Sequence, residues 1–567
     1  MKAGCFTVFS ANSGQFPVAF ASRRRINPDW QMTLAPRFLV NLWTGLKVAH
    51  FARRQKALGR GGVAQRSAFA TRMAATAGTE FASLHGLDAG TTYEHFRAKV
   101  PLRTYEWFEP FIRRMAAGET NVLVPGRCPL FVETAGTAGA APKLLPVPEA
   151  MLAHFRQARA AALFHYARRA GHVGVFLGRH LQVGASTKLT TAGGTYRSSL
   201  DGMMGLCLTP WDEANLRSPP GAIAELPEGG EKIAAIAAAM LRRDVTLVTG
   251  TPALIHALSL AARELAGAGQ QRPPHLQAVW PNLECCMYTG APLGLFADAL
   301  RSSLGPSVNF HEVYAAAEGI FAAQDSSTPG ALRVLPDAGI FFEFLPLAAH
   351  HEATLASAGP QCVTLDEVKT GVCYVPVVTT PAGLVRYVTG DIVRFVTVDQ
   401  PRLQFVGRAG FELNGLGEHV TERDVFETLQ AVCARNGWQA TAFHVAPYAQ
   451  RLGAGQVANV HEWWLELGTH TMKTPTANVL GPEFDTELAH RNADYAARRA
   501  SGQLGAPLVR LVMPGVFQSW ASEQRKTASA SKLPRCRPDR LIADQLAALA
   551  PFHQATIAPF KPTGLPV

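Results

Sequence analysis

Apolar positions along this chain recur with two different periods, and the change of period marks out its architecture. Across residues 36 to 75, Leu39, Leu42, Leu46 and Phe51 fall at roughly helical spacing and predict a helical stretch. From about residue 120 onward, short β-rich runs alternate with longer helical patterns. The runs are Cys128 to Glu133, Val173 to Leu177, Val245 to Val248 and Val308 to Phe310, and the helices are 147 to 169, 231 to 243 and 292 to 304. That alternation predicts an α/β architecture with substantial parallel sheet. A strand-rich patch covers 332 to 407, with strands predicted over Ile340 to Leu345, Val372 to Val378, Leu384 to Tyr387 and Ile392 to Val398. After about 420 the pattern resets. A helix over Glu422 to Asn436 precedes the partly alternating His461 to Leu467, a charged helix over Phe484 to Arg499 and a strand over Val509 to Met513. This reads as a smaller α+β domain.

At 567 residues the chain is too long for one simple core. The expected division is an unstructured extension over 1–35, a large N-terminal domain with parallel-sheet and β-rich subdomains over 36–420, a small mobile C-terminal domain over 421–550 and a loose tail over 551–567. Hydrophobic residues make up 47% and charged residues 17%, which suits a globular protein and excludes a disordered one. No uncharged apolar run reaches the length of a spanning helix, about 18 residues. Ser10, Ser13 and Arg23-Arg24-Arg25 faintly suggest a transit segment but lack the order of a secretory signal. Nine cysteines without CxxC or zinc spacing suit a reducing cytoplasm, with no metal cluster or redox centre. The net charge of +11 would suit a nucleotide or coenzyme A, and equally nucleic acid or a membrane surface. The arginines are dispersed rather than interleaved with aromatics, so no nucleic-acid partner is expected.

Four segments carry candidate chemistry. In Phe131-Val132-Glu133-Thr134-Ala135-Gly136-Thr137-Ala138-Gly139-Ala140-Ala141-Pro142-Lys143, a strand runs into glycines and hydroxyls and then a lysine. Glycines let N–H groups converge on a phosphate, hydroxyls add donors, and lysine adds a compact charge. The GK[ST] ending of a Walker A loop is absent. Tyr288-Thr289-Gly290-Ala291-Pro292-Leu293 is a tight turn opening a helix, suited to a flat base near the backbone. In Tyr314-Ala315-Ala316-Ala317-Glu318-Gly319, small residues leave room for a ligand, Tyr314 is placed to pack on a base and Glu318 to hold Mg²⁺. In Arg386-Tyr387-Val388-Thr389-Gly390-Asp391, the carboxylate of Asp391 follows a glycine turn and can accept both hydroxyls of a ribose. Each alone has a bland counterpart in a Gly-rich turn, a helix start or a satisfied acid. The order of the four is more informative than any one.

That order resembles the superfamily of acyl-CoA synthetases, adenylation domains and luciferases. More narrowly, the chain is similar to the auxin-responsive acyl-acid amido synthetases, the Gretchen Hagen family of plants and its bacterial relatives. The similarity rests on Tyr93-Glu94-His95-Phe96, Val100 to Tyr105, Gly118 to Leu123, Trp280 to Leu283, Leu335-Pro336-Asp337, Phe342-Glu343-Phe344, Phe405 to Arg408, Leu413-Asn414, Gly417-Glu418, Leu488, Asn492, Tyr495 and Ser531 to Cys536. It spans roughly 36 to 540. The resemblance implies ATP and Mg²⁺ as cofactors, a carboxylic acid and an amine such as an amino acid as substrates, and an acyl-adenylate intermediate. Thr134, Ala135, Gly136, Thr137 and Lys143 would then meet phosphate, and Gly290, Ala291, Tyr314 and Ala315 the adenine. Asp391 would hold the ribose with Arg408 nearby, Glu318 the metal, and Lys532 would reach the reacting groups when the domains close. The hinge would run from Gly407 to Glu418, with Gly410 and Gly415 absorbing the change, and the acid pocket would draw on residues between about 160 and 345, including 178 to 194.

The chain departs from the family pattern at Ala135 and Ala317, where serine is common, and each lost hydroxyl would remove about 1 kcal/mol. Two alternatives stay open on the sequence. One is an acyl-CoA ligase with a thiol acceptor; the other is a non-catalytic nucleotide- or acid-binding relative. Retention of Lys143, Glu318, Asp391 and Lys532 argues against the second.

Overall fold

The computed structural model describes residues 37–134, 143–269, 271–289, 293, 297–328, 330–451, 457–468, 477–523 and 533–549. The architecture is mixed α/β, with a large N-terminal domain and a smaller C-terminal one.

The main sheet changes character along its width. Its first part is parallel: Arg179–Val183, Val245–Gly250, Cys285–Tyr288 and Asn309–Ala316 pair in that order, with Arg217–Ser218 at the edge. From Asn309–Ala316 it continues antiparallel through Gly319–Gln324, Leu332–Val334, Arg402–Arg408, Asp391–Thr397, Cys373–Thr379 and Phe341–Pro346. One strand, Asn309–Ala316, therefore belongs to both regimes. The carboxyl ends of the parallel strands, where ligands bind in open α/β sheets, face the hairpin that opens the antiparallel part.

The strand reading over 173 to 177 is corrected: Gly174–Leu177 is a 3₁₀ turn, and the strand is Arg179–Val183. Arg179 and His180 hid that strand from an apolar pattern. His180 is buried and uncharged, its Nε2 held 2.8 Å from the Val175 carbonyl. The helical stretch at the start is two helices, Arg37–Ala57 and Gly62–Thr76, separated at Gly61 with φ of 94°. The stripe that predicted the first helix divides: Phe51 lies on the packed side with Thr44 and Gln55, while Leu39, Leu42 and Leu46 point outward.

A second core, with Val425, Leu429, Phe443, Trp463 and Phe484 at its centre, fills the C-terminal domain. Its sheet is Ala440–Arg451, Val457–Leu467 and Leu508–Val512. The helix Glu422–Asn436 starts at a reciprocal Thr421–Asp424 capping box and stops at Gly437 in the left-handed region. The charged helix predicted over 484 to 499 is two helices, Ala477–Arg491 and Ala493–Ala500, because Asn492 leaves the helix to cap the second through Tyr495 N–H.

Candidate active site

The centre of the site is built where Asn309–Ala316 meets Asp391–Thr397 and Arg402–Arg408. The Tyr314 hydroxyl donates to Asp391 Oδ2 at 2.6 Å, and Arg408 Nε donates to Asp391 Oδ1 at 3.1 Å. Asp391 and Arg408 are direct cross-strand partners, which explains how residues 17 apart share one carboxylate. The Asp391 amide donates to Thr389 Oγ1, whose hydroxyl in turn donates to the Pro376 carbonyl. Burial raises the Asp391 carboxyl above its ordinary range, while Arg408, the Tyr314 hydroxyl and the Lys143 charge pull it back. Burial and the adjacent carboxylate push the Tyr314 hydroxyl far up, so it acts as a neutral donor. The Arg408 side chain remains 43% exposed and keeps further N–H groups for a ligand.

Glu318 lies in the turn between Asn309–Ala316 and Gly319–Gln324, half-buried, with Oε1 accepting from the Tyr387 hydroxyl at 2.9 Å. The turn is held from below by His154. Its Nδ1 faces the Ala338 carbonyl at 2.7 Å and its Nε2 accepts the Ile320 N–H at 3.0 Å, which assigns a neutral ring protonated at Nδ1. Burial lowers the His154 pKa to about 4. Gly319 has φ of 156°, and a Cβ there would sit 2.5 Å from Ile340 Cδ1 and 3.1 Å from His154 Nε2, so a larger residue would have to displace both. Among the described residues no group of three or more His, Cys, Asp or Glu side chains is placed to hold a metal. A lone carboxylate fits Mg²⁺ held mainly by ligand phosphates and water, not a protein cage.

Thr134 and Lys143 close the base of a hairpin. The Thr134 N–H donates to the Lys143 carbonyl at 2.9 Å, and the Lys143 N–H donates to Thr134 Oγ1 at 3.1 Å. Lys143 Nζ lies over the Tyr105 ring, 5.0 Å from its centroid, and its charge reaches Asp391 and Glu106. The hairpin and the Asp391 cluster are thus electrostatic neighbours. Ala315 lies half-buried on the Tyr314 strand. Ala135, Gly136, Thr137, Gly290, Ala291 and Lys532 fall outside the described residues.

Several participants were not legible in the sequence. Thr251 and Thr289, just past the carboxyl ends of two parallel strands, carry buried hydroxyls without partners among the described residues. Buried polar atoms are almost always satisfied, so each of these hydroxyls takes its partner from beyond the described residues, whether chain, ligand or water. Glu422, at the start of the helix Glu422–Asn436, accepts the Arg535 N–H at 2.8 Å and lies within electrostatic reach of both Arg408 and Asp391. The segment from Leu533 is fixed further by Val445, which accepts the Arg537 N–H and donates to the Arg535 carbonyl, and by the Cys536 thiol, 2.7 Å from the Phe411 carbonyl.

A second acid–arginine–tyrosine cluster joins the strand Phe341–Pro346, the turn before Tyr387 and the helix Tyr93–Lys99. Arg386, with φ of 49°, forms a two-pronged pair with Glu343 at 2.9 and 2.8 Å, and Tyr93 donates to the same carboxylate. Its remaining donors go to the Arg97, Val100 and Gly359 carbonyls. Both charged side chains are 0% exposed.

Residues 53–205 match the GH3 family N-terminal domain, 333–408 the GH3 family central domain and 423–540 the GH3 family C-terminal domain, together more than half of the chain. The chain is 25% identical over 533 residues to the indole-3-acetic acid-amido synthetase GH3.8 of Oryza sativa subsp. indica, covering 81% of this chain and 86% of that one. It is 24% identical over 537 residues to the jasmonoyl--L-amino acid synthetase JAR6 of Nicotiana attenuata, covering 81% and 88%. The match to the "Probable indole-3-acetic acid-amido synthetase GH3.12" of Oryza sativa subsp. japonica, at 27% identity, spans only 55% of each chain. In fold it is similar to the AtGH3.15 acyl acid amido synthetase in complex with 2,4-DB, with a TM-score of 0.70 at 19% identity over 89% of this chain and 96% of that one. It is less similar to a 2-hydroxyisobutyryl-CoA ligase in the postadenylation state, with a TM-score of 0.52 at 15% identity over 88% and 93%. The three domain models match in order along the chain, and the chain belongs to the GH3 family.

Proposed function

We propose that this chain is an ATP-dependent acyl-acid amido synthetase, which converts a carboxylic acid and ATP to an acyl-adenylate plus pyrophosphate and passes the acyl group to an amine such as an amino acid. The observation that carries the reading is the Tyr314–Asp391–Arg408 cluster, beside a Gly-rich hairpin based on Thr134 and Lys143. Amido synthesis is what the names of the plant relatives state for those proteins.

In this reading each Asp391 oxygen, now accepting one protein donor, has lone-pair capacity left for a ribose hydroxyl. Tyr314 orients that carboxylate and presents its ring, and Ala315 its backbone, to the adenine, and Gly290 and Ala291 would meet the same base. Thr134, Ala135, Gly136, Thr137 and Lys143 would bind the phosphates. Magnesium would neutralise phosphate charge when bound, with Glu318 as its protein ligand. The chemistry is then chiefly positioning and electrostatic stabilisation, since the attacking carboxylate needs no proton removed. Lys532 would supply charge to the reacting groups, from a position three residues before Arg535, whose backbone is tied to Glu422.

The domain division at about 420 and the hinge over Gly407 to Glu418 belong to the same reading. Gly410 and Gly417 both have φ of 81°, and Gly410 is in open space, while a Cβ at Gly417 would lie 2.9 Å from Arg498. Gly410 is therefore the freer pivot. We place the enzyme in the cytoplasm, in keeping with eight described cysteines that are all free thiols.

The test is product analysis. Protein incubated with ATP, Mg²⁺ and a panel of carboxylic acids is offered either mixed amino acids or coenzyme A, and products are identified by mass spectrometry. Amide formation supports the proposal, thioester alone selects the acyl-CoA ligase, and no product with either acceptor favours a non-catalytic relative.

A further inference from the structure

The helix Arg37–Ala57 is inverted. Its packed side carries the polar Thr44 and Gln55 beside Val48 and Phe51, with Phe51 against Phe164 and His165. Its outward side carries Phe38, Leu39, Leu42, Trp43 and Leu46, of which Phe38, Leu42 and Leu46 are 68%, 62% and 62% exposed. Steps of one, three and four residues put these five on one face, and His50 and Arg53 continue the same stripe toward the helix end. An apolar patch ending in bases, on a helix already docked by its other side, is a surface for a partner.

Charge selects the partner. The helix holds five Lys and Arg residues and no acid. Within residues 1–60 there are ten Lys and Arg and a single acid, Asp29, so this part of the chain holds nine of its eleven excess positive charges. Arg37 and Arg54 pair with Asp244 and Asp337, while Lys47, Arg53 and Lys56 have no carboxylate within ion-pair distance among the described residues. Lys47 lies over the Trp43 ring at 3.2 Å, joining the apolar and basic parts of the surface. A second copy of the chain would bring like charges together, and so would the chain's own basic N-terminal segment. Phe38 and Trp43 can stack on a nucleic-acid base, but Lys47 covers the Trp43 ring and the three leucines add only apolar area, which a lipid boundary takes up and a nucleic acid does not.

We propose that this face binds an anionic lipid surface, with Phe38, Leu42, Trp43 and Leu46 entering the headgroup boundary and Lys47, Arg53 and Lys56 meeting lipid phosphates. Bulky apolar side chains with flanking bases are the two signals that together give stable peripheral attachment. The helix packs at the edge of the large domain through Phe164 and the Gly174–Leu177 turn, so attachment there leaves Asp391 and the hairpin untouched.

The experiment is sedimentation of the full chain with vesicles of phosphatidylcholine alone or with about one third phosphatidylglycerol, at low and high salt. The expected result is binding to the anionic vesicles only, weakened by salt. Paired Leu42→Ser and Leu46→Ser substitutions should lower binding about tenfold or more, and Lys47→Glu with Arg53→Glu by a similar factor, with pyrophosphate release unchanged. Three results would overturn it: no binding to anionic vesicles by folded protein, binding that survives the serine substitutions, or a dimer in gel filtration that those substitutions dissolve.

Discussion

Two clusters in the large domain each join an acid, an arginine and a tyrosine, and they differ in how fully the arginine is used and enclosed. Glu343, Arg386 and Tyr93 are sealed, with both charged side chains at 0% exposure and three backbone carbonyls taking the spare arginine donors. In the other, Arg408 meets Asp391 through Nε alone beside Tyr314, and the Arg408 side chain is 43% exposed. A sealed ion pair with every donor used can only hold structure together. An open one, with donors and lone pairs to spare, can hold a ligand. Arg386 and Asp391 are five residues apart in one motif, so the distinction lies in what surrounds each residue and not in sequence position.

The comparison breaks most visibly at Arg386. Arg386→Ala should leave the Glu343 charge buried and unpaired and cost about 3 to 5 kcal/mol, seen as a large drop in denaturation midpoint. Arg408→Ala, on the open cluster, should change stability far less.

Acid sharpens it next, because His154 supports the turn beside the open cluster only. Its folded pKa of about 4 lies below the ordinary value of 6.5. The unfolded chain therefore takes up the proton first, and the stability present above pH 6.5 is lost as pH falls toward 4. The loss is on the order of 3 kcal/mol. His165 and His444 shift in the same direction. Melting temperatures should be flat above pH 6.5 and fall below it, and His154→Gln should shallow the fall.

At Glu318, replacement by Gln keeps a partner for Tyr387 but removes the charge. The rate should drop about a hundredfold and need more Mg²⁺, with the fold intact by melting temperature. The smallest contrast is a pair of tyrosine substitutions. Both substitutions remove a hydrogen bond to a buried carboxylate and should lower stability by about 1 to 3 kcal/mol, but Tyr314→Phe should also lower kcat/KM about tenfold, whereas Tyr93→Phe should leave kcat/KM alone.

Much of the fold was legible where local signals agree. The helix Glu422–Asn436 carries its own capping box and terminating glycine, and the α/β alternation announced the parallel sheet. What failed depended on distant partners. The strand at Arg179 looks polar until His180 finds the Val175 carbonyl, and Asn492 breaks a helix that is periodic on both sides. In the site, Tyr314, Glu318, Asp391 and Arg408 were found as motif members, but their pairings were not. Tyr314 meets Asp391 across 77 residues, and Glu318 meets Tyr387 across 69. His154 and Glu422 escaped because each acts through a contact that no local pattern encodes. Tyr93 and Glu343 were singled out only by resemblance, and their shared buried pair with Arg386 supplies the physical reason.

The central claim is that the open cluster is an adenylation site. Its most direct test is ATP–pyrophosphate exchange across a carboxylic-acid panel, comparing wild type with Asp391→Ala at matched melting temperature. The account predicts exchange that requires one class of acid and falls at least about a hundredfold in the variant. Exchange that persists in Asp391→Ala, or its absence from folded wild-type protein with every acid, would contradict it.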